Sequence, residues 1–243
     1  MGIFLAGAGP AYESFPDVFK RFVQDIPREC GESRPVRIAV VVHHRGGTPG
    51  IVLQDYAGPI QSLASCEVVP VLLGAGGPAD PAVFDGIDAV VVGGGLTPAY
   101  LAGLEGCAAA IAAKVSDGLP YLGFSAGAMI APERGIIGGY RIAGVEVCGE
   151  ECSEDLDAVD VRAGLGLVPF AVDVHAAQAG TLSRAVGAVA AGLVARAVAV
   201  DEDTAIILND DGHGDFEVIG SGHCWDIRWT GAGCSVSVRS SGQ

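Results

Sequence analysis

The sequence predicts an α/β fold: a mostly parallel central sheet with helices on both faces, and antiparallel strands added in the C-terminal part. Three observations carry this expectation. Short, largely apolar runs such as VRIAVVV, DAVVV and LPYLGF recur and end in glycine-rich turns. Segments with apolar residues at helical spacing follow those turns. The last fifty residues instead hold several short strand-like runs with little helical pattern between them. Strands that are apolar on both sides and alternate with helices belong to a parallel sheet covered on both faces.

The elements follow in order. FLAG opens as a strand, and SFPDVFKRFVQDI carries the apolar spacing of a helix. VRIAVVVHH is the second strand, IVLQDYAGPIQSLA a helix and CEVVPVLL the third strand. DAVVVGGG is the fourth strand, TPAYLAGLEGCAAAIAAKV one long helix, and LPYLGF the fifth strand. GIIGGYRIAG is expected as a hairpin and VCGEECSEDLDAVD as an acidic surface segment. GLGLVPFAVDVH is a strand ending in histidine, and TLSRAVGAVAAGLVARA is a helix. AVAVDEDTAIILND, FEVIG, CWDIRW and CSVSVR are strands extending the sheet. No repeat or Pro-rich linker divides the chain, so residues 1–243 read as a single α/β domain.

Composition narrows the function classes. Half of the 243 residues are hydrophobic and only 18% are charged, which excludes a disordered chain. A net charge of −15 argues against nucleic acid or an anionic membrane as partner, because phosphates would be repelled. The opening MGIFLAGAGPAYESF lacks a basic leader region and is too short in its apolar run to span a bilayer. Seven cysteines, without any CxxC, are expected as reduced thiols of a cytoplasmic protein. Cys148 and Cys152 could pair or bind a metal, but no histidine stands near them in sequence, so no metal or other cofactor is expected.

Chemistry concentrates around GFSAGA, residues 123–128. A serine framed by small residues after an apolar strand fits a nucleophile elbow, where a crowded strand-to-helix turn lifts the hydroxyl above the sheet. Backbone N–H groups of the following turn are then free to face an oxyanion. A serine that merely caps a helix is the alternative reading of Ser125. A nucleophilic serine needs a base, and the base needs an orienting acid. His43, His44, His175, His213 and His223 are the available bases. His175 ends a strand, which places it on the same rim as Ser125, whereas His213 and His223 follow the acidic run Asp201, Glu202, Asp203 and preserve another chain order. LAGAGPAY near the start suggests a dinucleotide-binding turn, but Tyr12 stands where the third glycine is needed.

Four blocks, in order, give the chain a family resemblance: VVGGG at 91–95, GFSAGA at 123–128, GLGLVPFAVDVH at 164–175 and VDEDTAIIL at 200–208. Together they resemble the S51 serine peptidases, the family of dipeptidase E and cyanophycinase. That resemblance implies a fold similar to class I glutamine amidotransferases, of flavodoxin-like type, with serine replacing the amidotransferase cysteine. It implies Ser125 as nucleophile, His175 as base and Glu202 as acid. It also implies oxyanion N–H groups from Gly94 or Gly95 together with Ala126.

The departures bear on the substrate. Dipeptidase E-type members carry their acid shortly after the nucleophile, and here APERGIIGGYRI offers Glu133 but no aspartate. Cyanophycinases follow their histidine with an arginine-rich run, which here reads HAAQAGTLSRAV. Ala179 and Thr181 stand where arginines are expected, Val174 replaces a glutamine, and Leu96 replaces a polar residue after the glycines. Arg184 alone remains as a candidate to accept a substrate carboxylate. The expected function is therefore a serine peptidase or amidase that cleaves an amide bond in a small peptide or peptide-like metabolite. Acyl or peptidyl transfer by the same residues, or binding without turnover, are the alternatives. Neither nucleic acid nor membrane is expected as partner, and a homodimer is compatible with the sequence.

Overall fold

A computed structural model describes residues 2–27, 34–74, 77–209 and 214–242. Cys30 and His213 lie outside the described residues. In chain order the main elements begin with strand β1 (Gly2–Ala6), helix α1 (Pro16–Asp25), β2 (Val36–His43), α2 (Leu53–Leu63), β3 (Cys66–Leu73) and β4 (Ala89–Val92). They continue with α3 (Thr97–Leu104), α4 (Ala108–Ser116), β5 (Tyr121–Phe124), α5 (Ala126–Ile130), β6 (Arg134–Gly138), β7 (Arg141–Ile142) and β8 (Val145–Glu146). The C-terminal part comprises β9 (Asp160–Ala163), β10 (Ala171–Val174), α6 (Leu182–Ala190), β11 (Arg196–Val200), β12 (Thr204–Asn209), β13 (Glu217–Gly220), β14 (His223–Trp229) and β15 (Cys234–Ser240).

The central sheet runs β13-β12-β1-β5-β4-β2-β3. Its five members from β1 to β3 are parallel, while β12 and β13 join antiparallel at one edge. Alternation along each strand divides the core in two. Phe4, Val40, Val42, Val91, Leu122 and Phe124 pack on Phe19 and Phe22 of α1 and on Tyr56 and Ile60 of α2. Leu5, Val41, Val90, Val92 and Tyr121 point the other way, into a core shared with α3, α4 and α5. Period-two side-chain placement on a sheet covered on both faces requires this division.

Three local expectations are corrected. The late strands do not all join one sheet: β10, β11, β14 and β15 form a second, four-stranded sheet. It packs within the α3–α5 core, with α6 against β10, β11 and β14. The long helix is broken by a 3-10 turn at Glu105–Cys107, where Gly103 and Gly106 weaken helical preference. The hairpin is displaced as well: β6 pairs with the distant β9, and the tight turn joins β7 to β8. Ala143 and Gly144, with φ of 50° and 80°, supply the two left-handed residues that a two-residue hairpin favours. No helix among the described residues is long and apolar enough to cross a membrane.

One ion pair lies inside this framework. Arg184 of α6 is 2% exposed and Asp173 of β10 is fully buried. Arg184 Nε and Nη2 donate to the two Asp173 carboxylate oxygens at 2.8 and 2.6 Å, a forked arrangement. Nη1 donates to the carbonyls of Gly139 and Cys152. Burial works against the guanidinium charge, but Asp173 outweighs it and holds the Arg184 pKa above its ordinary value. Removing one member leaves the other charge buried without a counter-charge. Arg184→Met is therefore expected to lower unfolding free energy by about 3–5 kcal/mol, with much of the loss recovered when Asp173→Leu is added. Urea denaturation of the two variants checks this; equal losses in both would contradict it.

Candidate active site

Ser125 occupies the turn from β5 into α5 with φ 48° and ψ −105°, a left-handed backbone that is rare outside glycine. The turn is held by backbone hydrogen bonds: Ser125 N–H donates to Ala6 O at 3.0 Å, and Gly127 N–H to Gly93 O at 3.1 Å. A Cβ at position 127 would meet Val92 O at 2.4 Å, so only glycine lets α5 start this close to β4. This crowding accounts for the small residues that frame the serine. β4 ends beside it in Gly93-Gly94-Gly95, so both segments lie beyond the carboxyl ends of parallel strands, where ligands bind in such sheets.

His175 and Glu202 come from the second sheet. His175 follows β10 with φ 56°, and its N–H donates to Gly7 O at 3.0 Å. Glu202 lies in the turn from β11 to β12, where the chain crosses from the second sheet to the central one. Gly7, just after β1, is pressed against that turn: a Cβ there would stand 2.0 Å from Asp201 O. Ser125 Oγ and His175 Nε2 are 3.0 Å apart, and His175 Nδ1 and Glu202 Oε1 are 2.7 Å apart. The His175 and Glu202 side chains are 31% and 45% exposed, so the arrangement faces solvent.

The neighbouring acids are differently engaged. Asp201 is buried and accepts the N–H groups of Ala177 and His223. Asp203 accepts the Ser14 hydroxyl at 2.7 Å. His223 is over half exposed, with Asp201 as its acidic neighbour at 3.8 Å. His43 and His44 stand at the end of β2, and burial lowers the pKa of His43.

Backbone donors near Ser125 are partly occupied. Gly94 N–H donates to the Tyr56 hydroxyl at 2.7 Å, which removes it as an oxyanion donor and corrects that expectation. Tyr100 donates its hydroxyl to Gly94 O and accepts His43 N–H. The N–H groups of Gly95 and Ala126 make no hydrogen bond to another described residue. Tyr56 carries no sequence signal, since it lies on a helix thirty-eight residues before Gly94 in the chain.

Two substrate-binding expectations are also corrected. Arg184 does not face the site, because its guanidinium is turned inward to Asp173 and two carbonyls. Val174 is 2% exposed and packs in the core, paired with Val200. Thr181 is likewise buried and donates its hydroxyl to Val174 O. Leu96 remains half-buried at the start of α3. A cavity of about 900 Å³ opens beside His175 and Glu202, and Glu13, Asp55 and Asp203 also line it.

A crystal structure of a peptidase from an acI-B1 Actinobacterium is similar over 100% of this chain and 95% of its own, with a TM-score of 0.67 at 14% identity. A candidate peptidase E protein from Listeria monocytogenes EGD-e is similar over 91% of this chain and 98% of its own, with a TM-score of 0.56 at 15% identity. At such identities the likeness concerns the fold. No curated protein matches the sequence. Residues 82–214, more than half of the chain, match Peptidase family S51, and they include the Gly93–Gly95 turn, Ser125, His175 and Glu202. The chain belongs to peptidase family S51.

Proposed function

We propose that this protein is a serine hydrolase that cleaves an amide bond in a small peptide or peptide-like metabolite. The observation that carries the reading is the unbroken contact from Ser125 Oγ through His175 to Glu202, at 3.0 and 2.7 Å. Ser125 Oγ attacks the carbonyl carbon while His175 Nε2 takes the hydroxyl proton, and Glu202 steadies the resulting imidazolium. Gly95 and Ala126 N–H groups stabilise the oxyanion. His175 then gives its proton to the departing amine. Water, activated by the same imidazole, releases the acid and restores Ser125.

Substrate charge follows from the surroundings. The sequestered Arg184 leaves no arginine from the HAAQAGTLSRAV run to pair with a substrate carboxylate, and the acidic cavity beside His175 repels one. Substrates with a carboxylate beside the scissile bond, β-aspartyl-arginine among them, are thus poor ones in this reading. Amides without a carboxylate beside the scissile bond are better ones. A panel compared by kcat/KM checks this, and β-aspartyl-arginine at the top of the ranking would overturn it.

The catalytic assignment has its own test. A fluorophosphonate probe is expected to label the wild-type protein at Ser125 and not Ser125→Ala, which should stay folded because only one hydroxyl is lost. Glu202→Gln should cut kcat by roughly 10³–10⁴-fold, as loss of a triad acid does elsewhere. Asp203→Asn should leave the rate within a few-fold. Labelling at another residue, or equal losses in the two acid variants, would refute the assignment.

A further inference from the structure

The segment read from sequence as an acidic surface stretch places one carboxylate beside the glycine turn. Glu154 is half-buried, and its Oε2 accepts the N–H of Thr97 at 3.0 Å. Thr97 is the first residue of α3, two positions after Gly95. The carboxylate therefore lies at the positive end of that eight-residue helix. Its own backbone is unusual: Glu154 and Asp155 have φ of 55° and 63°, two consecutive left-handed residues without a glycine.

Neighbours on several elements hold this turn in place. Gly138 lies so close that a Cβ there would meet Glu154 Cβ and Ser153 O at 2.6 Å. Gly139 N–H donates to Ser153 O at 2.7 Å, and Arg184 donates to Cys152 O. Asp155 pairs with Arg45 at 2.6 Å. The charged and titratable groups facing Glu154 are Arg184, Arg45, His175 and Cys152.

We propose that Glu154 is a positioning residue: by accepting Thr97 N–H, it fixes the Gly93–Thr97 turn and with it the Gly95 N–H proposed as an oxyanion donor. This rests on the reading of Ser125 as the nucleophile. The arrangement has a pH signature. Burial pushes the Glu154 pKa up, and the Thr97 N–H and the nearby cations only partly oppose that. A raised carboxyl gains its proton at a higher pH than an ordinary glutamate. The charged acceptor is then weakened on the acid side, and activity falls with it.

The test compares wild type, Glu154→Gln and Glu154→Ala in the full chain, using the labelling rate with a fluorophosphonate and kcat and KM on p-nitrophenyl acetate. Both variants remove the charge, and only glutamine keeps an acceptor for Thr97 N–H, so the gap between them reports the hydrogen bond. Glu154→Gln is expected within about threefold of wild type at pH 8. Glu154→Ala should lose at least about tenfold in kcat and labelling with KM little changed, as a displaced oxyanion donor requires. Between pH 8 and pH 5, Glu154→Gln should lose less activity than wild type. If Glu154→Ala fails to fold, the pH comparison of Glu154→Gln with wild type decides the matter, and superimposable acid limbs overturn the proposal. Equal rates for all three proteins also overturn it. A wild-type protein that never labels at Ser125 overturns instead the serine hydrolase reading beneath it.

Discussion

Arg184 and Asp173 are two opposite charges withdrawn from water, and much of the site hangs on where they meet. A buried pair of this kind adds little stability over apolar residues of the same size, but it accepts only one geometry. Asp173 stands two residues before His175 on β10, and its carboxylate also accepts Val174 N–H. The remaining guanidinium nitrogen, Nη1, grips the carbonyls of Gly139, ahead of the acidic segment, and of Cys152, within it. The strand that delivers the imidazole and the loop that carries Glu154 are thus referred to one fixed point. Leucine in place of Arg184 could fill the space but could not set those directions.

Much of this was legible in the sequence, for physical reasons. Strands covered on both faces are nearly all apolar, so β2, β4 and β5 stand out without structural help. The serine turn is legible because crowding excludes side chains at Gly123 and Gly127. His175 was legible only in part: ending a strand narrows five histidines but does not choose among them, and the family resemblance made the choice. Glu202 as the neighbour of His175 followed in the same way, from a run of three carboxylates whose directions depend on a turn between two sheets.

What could not be read depends on contacts between distant segments. The second sheet exists because β10 and β11 pair with β14 and β15 and leave only β12 and β13 for the central one. Strand patterns alone do not say which partner a strand will choose. Arg184 was misjudged for a related reason. A charged residue on a predicted helix is usually at the surface, and its inward turn is explained only by Asp173, eleven residues away across a loop. Tyr56 shows the same limit, since its hydroxyl meets Gly94 thirty-eight residues later.

The serine belongs to the central sheet, whereas the histidine and the glutamate belong to the second sheet and the crossing turn. The three side chains therefore straddle a seam, joined at Gly7, which touches the two sides through His175 N–H and Thr204 O. Opening of that seam would separate hydroxyl from imidazole while the central sheet kept all its own hydrogen bonds. Under the proposed function, reactivity at Ser125 would then be a gauge of docking between two layers. It can vanish in a molecule that is still almost wholly folded, well before any optical signal of unfolding appears.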